Sequence, residues 1–219
     1  MLNAAAYVRE CLGSALAQLG PDDEVFVADN GSTDGCADIV RGIGDARIQL
    51  IHAEAKGPSA ARNAGLRLAR GRYITFLDAD DMWAPGRLPK MLAAMSATPG
   101  ANAVYGRVRV LYDAGQQHGH DDIDGQLVQN WGLWSYMFER SLVEQVGLLA
   151  EELQMGEDTD FILRARRGGM KCAVCDEVVT LYRRHAANVT NDRAELQRSA
   201  MRTFARNITR LRAERNGDA

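Results

Sequence analysis

Tyr73-Ile74-Thr75-Phe76-Leu77 runs without a break into Asp78-Ala79-Asp80-Asp81, a strongly apolar strand ending on three carboxylates within four residues. It is one of a series. Upstream, Glu24 to Ala28 reads as a short strand that ends on the turn Asp29-Asn30-Gly31-Ser32-Thr33-Asp34, with a helix following from about 34 to 43. Arg47 to Ala53 reads as a strand and Ser59 to Ala69 as a helix. Before them, Tyr7, Val8, Cys11, Leu12, Ala15, Leu16 and Leu19 recur at three- and four-residue spacing, which predicts an amphipathic helix over 4–19, ended by Gly20-Pro21. Strand and helix alternate in units of about 25 residues, so the fold class is α/β, with a mostly parallel sheet covered by helices. In such sheets ligands lie beyond the carboxyl ends of the strands, where both acidic turns fall.

Downstream, a helix is predicted over 86–96, a strand over 103–111 and a polar loop over 113–125. Short helices over 140–146 and 157–168 follow, and a strand over 171–182. The loop's His118, His120, Asp121, Asp122 and Asp124 invite a metal reading, but its density of Gly and Asp fits a solvated loop better. Arg193 to Arg215 differs in character. It carries seven arginines against Glu195 and Glu214, so this segment is about +5 and the remainder about −8. Arg198, Arg202, Arg206 and Arg210 recur every four residues beside an apolar strip of Leu196, Ala200, Phe204, Ile208 and Leu211, as in a basic amphipathic helix. Three readings stay open: a solvated helix packed on the domain, contact with an anionic membrane, or a partner such as a second copy. The domain division is therefore 1–190 for the folded unit and 191–219 for the basic C-terminal helix and tail.

The chain has 219 residues, of which 46% are hydrophobic and 25% charged, with a net charge of −3. That suits an ordinary globular protein and gives no global sign of nucleic-acid binding. No apolar stretch reaches the ~18 residues of a membrane span, and Met1 to Ala6 lacks the pattern of a secretory signal. The expectation is a cytoplasmic protein, peripheral at the inner face of the membrane if the C-terminal helix docks there. Cys11, Cys36, Cys172 and Cys175 are too few and scattered for a disulfide framework. On a strand, Cys172 and Cys175 point to opposite faces and cannot pair as ligands.

Hard oxygen ligands on a short turn suit Mg²⁺ or Mn²⁺, and a cation would relieve the repulsion within Asp78-Ala79-Asp80-Asp81. A helix cap with exposed acids is the competing account. Asp29, at a strand end, can accept hydrogen bonds from a base or ribose, although Asn30-Gly31 and Ser32-Thr33-Asp34 also make an ordinary turn and cap. In Gly57-Pro58-Ser59-Ala60-Ala61-Arg62-Asn63-Ala64-Gly65, small residues allow close approach and Arg62 offers a forked cation that can face a nucleotide. Gly156-Glu157-Asp158-Thr159-Asp160 again places acids at a helix start, where Asp158 alone reads as an N-cap.

In this order and spacing the four segments resemble the inverting family 2 glycosyltransferases, whose fold is the GT-A (nucleotide-diphospho-sugar transferase) type. Val27 to Gly35 is similar to the family's nucleotide-binding turn, Gly57 to Gly65 to its second donor segment, and Phe76 to Trp83 to its metal-binding signature. Gly156-Glu157-Asp158 is similar to its catalytic acid pair, and Tyr182 to Thr190 to its closing strand. The resemblance covers about Asn3 to Thr190. It implies that Asp29 holds the donor base or ribose, Arg62 the base, Asp78 the ribose, and Asp80 a divalent metal, Mn²⁺ or Mg²⁺, that bridges the diphosphate. It implies Asp158 as general base, Glu157 as structural, and His185 near the metal or diphosphate. The partners implied are a nucleotide-sugar donor, a UDP-sugar first, and a carbohydrate or glycolipid acceptor, in surface polysaccharide or glycolipid synthesis.

The sequence departs from that pattern in two places. Family members open with an apolar strand ending in a short turn and Asn, whereas this chain begins at what matches that Asn, Asn3, so one strand and part of the base pocket are expected to be absent. A catalytically impaired nucleotide-sugar binding protein is the alternative function that this departure favours. Asn30 also replaces a frequent second aspartate. A haloacid dehalogenase-type phosphatase shares strand-Asp-x-Asp, but Met82 stands where that class has Thr or Val. A sugar nucleotidyltransferase would need a Gly-rich basic N-terminal loop, which is lacking.

Overall fold

The structure is a computed structural model and describes residues 1–113, 127–129, 132–153, 155–188, 191 and 193–216. The predicted loop's His118, His120, Asp121, Asp122 and Asp124 lie outside the described residues. The first half of the chain alternates as expected: α1 (Val8–Leu16), β1 (Val25–Asp29), α2 (Cys36–Arg41), β2 (Ile48–His52), α3 (Pro58–Leu66) and β3 (Tyr73–Thr75). Then come β4 (Met82–Trp83), α4 (Arg87–Ala97), β5 (Ala103–Tyr112), β6 (Leu127–Gln129), a 3-10 turn over Leu133–Ser135, β7 (Tyr136–Glu139) and α5 (Arg140–Val146). The last elements are α6 (Glu157–Arg167), β8 (Cys172–Arg184) and α7 (Arg193–Asn216).

The expected α/β architecture is found, but the sheet is mixed rather than mostly parallel. β1 pairs with β2 in parallel, and the main sheet runs β3-β7-β5-β8-β4, with β6 on the far half of the β5 edge that β7 occupies. Of its pairings among the described residues only β5 with β8 is parallel. The antiparallel partners β4, β6 and β7 are two to four residues long, too short to show a period. Among the described residues β1 pairs with no strand but β2; at its end the amino group of Met1 donates to Ala28 O, and Met1 O accepts from Asn30 N–H at 2.9 Å.

Alternation along each strand divides the core. On one face Ile74, Phe76, Tyr136 and Phe138 meet Leu142 and Val143 of α5 and Phe161 of α6. On the other, Val104, Met137, Ala173, Cys175 and Val179 meet Met91 and Met95 of α4. Cys172 packs with the first face and Cys175 with the second, as the strand period requires. A third cluster joins Val8 and Leu12 of α1, Val27 of β1, and Cys36 and Val40 of α2, with Ala79 against it. That contact brings the acidic turn after β3 next to the turn after β1.

Candidate active site

Each acidic turn is positioned by hydrogen bonds that the sequence order conceals. Asp29, the last residue of β1, is buried; its Oδ1 accepts from Ser32 N–H at 3.1 Å and Ser32 Oγ–H at 2.6 Å. Burial works to raise its pKa, but the Ser32 bonds outweigh it and leave Asp29 below the usual carboxylate range. Asn30 is more than a neutral replacement. It accepts from Gly57 N–H at 2.7 Å and donates to Ala55 O at 2.8 Å, tying the first turn to the start of α3.

Arg62, on α3, is the hub. Its Nη2 donates to Asp78 Oδ1 at 2.9 Å, and its Nη1 to Glu157 Oε1 at 2.8 Å and Asp158 Oδ1 at 3.0 Å. Burial pulls its pKa down, but the three carboxylates outweigh that and raise it, so the guanidinium stays charged. Asp158 is pinned from the other side, its Oδ2 accepting from Leu133 N–H at 3.1 Å. Burial raises the pKa of Asp158, against the opposing charge of Arg62; burial and then the charge of Asp158 raise that of Glu157. Gly132 lets this happen. A Cβ there would sit 2.3 Å from the Trp134 ring, so only glycine carries the chain under Trp134 to present the Leu133 N–H.

The turn after β3 separates its three acids. Asp81 is fully buried and accepts from Arg183 N–H at 2.8 Å; burial, then Asp78 and Asp80, push its pKa well up. Asp78 and Asp80 face solvent, with side chains 34% and 30% exposed. Asp80 Oδ2 lies 3.0 Å from His185 Nε2. Because His185 Nδ1 accepts from Ala187 N–H, the proton belongs on Nε2, which donates to Asp80. The imidazole stacks on Tyr7, with ring centroids 4.8 Å apart, and Tyr7 Oη–H donates to Asp113 at 2.9 Å. Arg183 donates to Asp80 O and to Asp113 and Glu10.

The structure therefore brings Arg62, Asp78 and Asp158 together, and Asp80 with His185, while Asp29 stands on the neighbouring turn. Two accessible aspartates suit Mg²⁺ or Mn²⁺, which take one or two protein carboxylates and fill the rest of the shell with water and phosphate oxygens. Among the described residues no three His, Cys, Asp or Glu side chains converge as a ready-made cage. Sequence reading missed the Leu133 N–H, a backbone group that leaves no trace in residue type. It also missed Tyr7, just before α1, whose three- and four-residue spacing from Cys11 reads as packing, and the link from Arg62 to Glu157 and Asp158 of α6.

Residues 1–188 match the family described as Glycosyl transferase family 2. The "Uncharacterized glycosyltransferase EpsJ" of Bacillus subtilis is 28% identical over 87% of this chain and 61% of its own length. The "Succinoglycan biosynthesis protein ExoO" of Rhizobium meliloti is 33% identical over 78% of this chain and 55% of its own. Among solved structures, the mannosyltransferase PcManGT from Pyrobaculum calidifontis, in complex with GDP-Man and Mn²⁺, superposes with a TM-score of 0.71 at 23% identity, over 95% of this chain and 62% of that one. That is a likeness of fold, and the chain spans about three fifths of the length of these proteins. Because the family match runs through all four motifs and covers most of the sequence, the chain belongs to glycosyl transferase family 2.

Proposed function

We propose that this chain transfers a sugar, with inversion, from a nucleoside-diphosphate donor, a UDP-sugar in the first instance, to a hydroxyl of a carbohydrate or glycolipid acceptor. The observation that carries the reading is the single guanidinium of Arg62 holding Asp78, at the donor turn, and Asp158, at the start of α6, each within 3.0 Å. An acceptor oxygen hydrogen-bonded to Asp158 then lies beside a donor seated over Asp29 and Asp78. Asp158 takes the hydroxyl proton as the oxygen attacks the anomeric carbon. The bond from that carbon to the diphosphate oxygen breaks with its electrons going to the nucleotide. A raised pKa makes Asp158 a stronger base than an ordinary aspartate, and the Leu133 N–H fixes its orientation. Asp80, with His185 beside it, would hold Mn²⁺ or Mg²⁺, a charge that stabilises a departing diphosphate. The name of ExoO supports a place in polysaccharide synthesis, and the Mn²⁺ in the mannosyltransferase complex supports a divalent ion.

A second reading, nucleotide-sugar binding without turnover, is favoured by β1 having β2 as its one strand partner among the described residues. Calorimetric titration with UDP, and then GDP, in Mn²⁺, in EDTA and with Asp80→Ala tests the donor site. Binding that needs the metal and is lost in the variant is expected. A folded chain that binds neither nucleotide rejects both readings.

A further inference from the structure

The C-terminal helix is docked the wrong way round for a helix whose apolar strip belongs to the core. Ser199, Thr203 and Asn207, at four-residue spacing, are almost completely buried against α6 and the turn before it. Ser199 Oγ–H donates to Met155 O, and Asn207 Nδ2 donates to Asp160 Oδ1 at 3.2 Å. Arg206 and Arg210 turn inward too, 3.9 and 3.6 Å from the buried Asp160, and Arg206 pairs with Glu152. The polar strip is thus spent on the protein. The opposite face carries Met201, Phe204 and Ile208, exposed by 73, 55 and 49%. Arg198, Arg202 and Arg212 are exposed beside them.

From this we infer that the outward face of α7 docks on the surface of an anionic lipid bilayer. Apolar side chains at i, i+3 and i+7 insert among the acyl chains while arginines on the flank meet lipid phosphates, the arrangement of an interfacial helix. A second copy is the poorer occupant. Self-pairing would set arginines against arginines, and three side chains of one helix fall well short of the ~800 Å² per partner of a standard interface. α7 is also fixed to the active site, since Thr203 packs on Gly156, two residues before Asp158. A chain held by this face therefore presents the acid end of α6 from a fixed height above the bilayer. That consequence rests on the proposed function, whereas the docking itself does not.

The test is flotation of the full chain with vesicles of phosphatidylcholine alone and with about one third phosphatidylglycerol, at low and high salt. Flotation is expected only with the anionic vesicles, weakening as salt rises. The triple variant R198A/R202A/R212A should partition on the order of a hundredfold less, from about fivefold per arginine. F204S/I208S should lose about tenfold or more. Both variants alter an outward face, so an unchanged thermal midpoint and UDP affinity confirm that they are folded. Wild type that fails to float, variants that float equally, or light scattering that shows a dimer dissolved by F204S/I208S without vesicle binding would each overturn the inference.

Discussion

Arg62 determines the behaviour of the acids around it. Asp158→Asn keeps the shape and removes the proposed base, so kcat should fall by about 10²- to 10⁴-fold while UDP affinity holds. The pH profile carries the sign of the environment. The pKa of Asp158 is raised by burial and held back by Arg62, so kcat/KM should fall on the acid side with a limb above the ordinary aspartate range. Arg62→Met removes the restraining charge and should move that limb to higher pH. The same change leaves Asp78, Glu157 and Asp158 uncompensated, at a cost to stability of about 3 kcal/mol near neutral pH, read from urea denaturation. In the sequence, the placement of Asp29 at a strand end, of Asp78 and Asp80 in the turn after a strand, and of Asp158 at a helix start was legible because each sits in a short motif beside a regular element. That Arg62 faces carboxylates was not legible, since its partners lie 16 and about 95 residues away.

At the level of elements, the join between α6 and α7 gives a paired comparison. Gly156 has φ +85° and ψ 6°, and a Cβ there would stand 2.4 Å from Thr203 Oγ1, whereas Gly35, at φ +82° and ψ 5°, has open space around it. Gly35→Ala should cost about 1 kcal/mol for its backbone alone. Gly156→Ala should cost about 2–3 kcal/mol and loosen α7, seen as faster proteolysis of the C-terminal helix. Long elements with several turns of periodic side chains, α1, α4 and α6, lie close to where the sequence put them. β4, β6 and β7 were missed, and with them the mixed character of the sheet, because strands of two to four residues are defined by the neighbour they pair with. The helical form of α7 was legible, but its orientation was not. Periodicity marks an apolar strip without saying that a buried Asp160 will draw Arg206 and Arg210 to the other side.

Over the whole molecule, Arg87 at the start of α4 joins parts that no local pattern connects. It is fully buried, with Nη1 donating to Trp134 O and Thr180 Oγ1, and Nη2 to Thr75 Oγ1 and Tyr136 O. Burial lowers its pKa to about 9, still charged at neutral pH. Because Trp134 and Tyr136 lie one and three residues after Leu133, Arg87→Met should both destabilise the fold by about 3–5 kcal/mol in chemical denaturation and lower kcat. The main sheet, the turn over Leu133–Ser135 and Asp158 on α6 thus form one connected support for the proposed reaction. The most direct test of that reaction is release of UDP from a panel of UDP-sugars in Mn²⁺, comparing wild type with Asp158→Asn. Release by the wild type that drops at least a hundredfold in the variant, with UDP binding equal in the two, is the predicted result. Equal release by both, or none from a wild type that binds UDP, would contradict the account, the latter leaving a protein that holds a nucleotide sugar without transferring it.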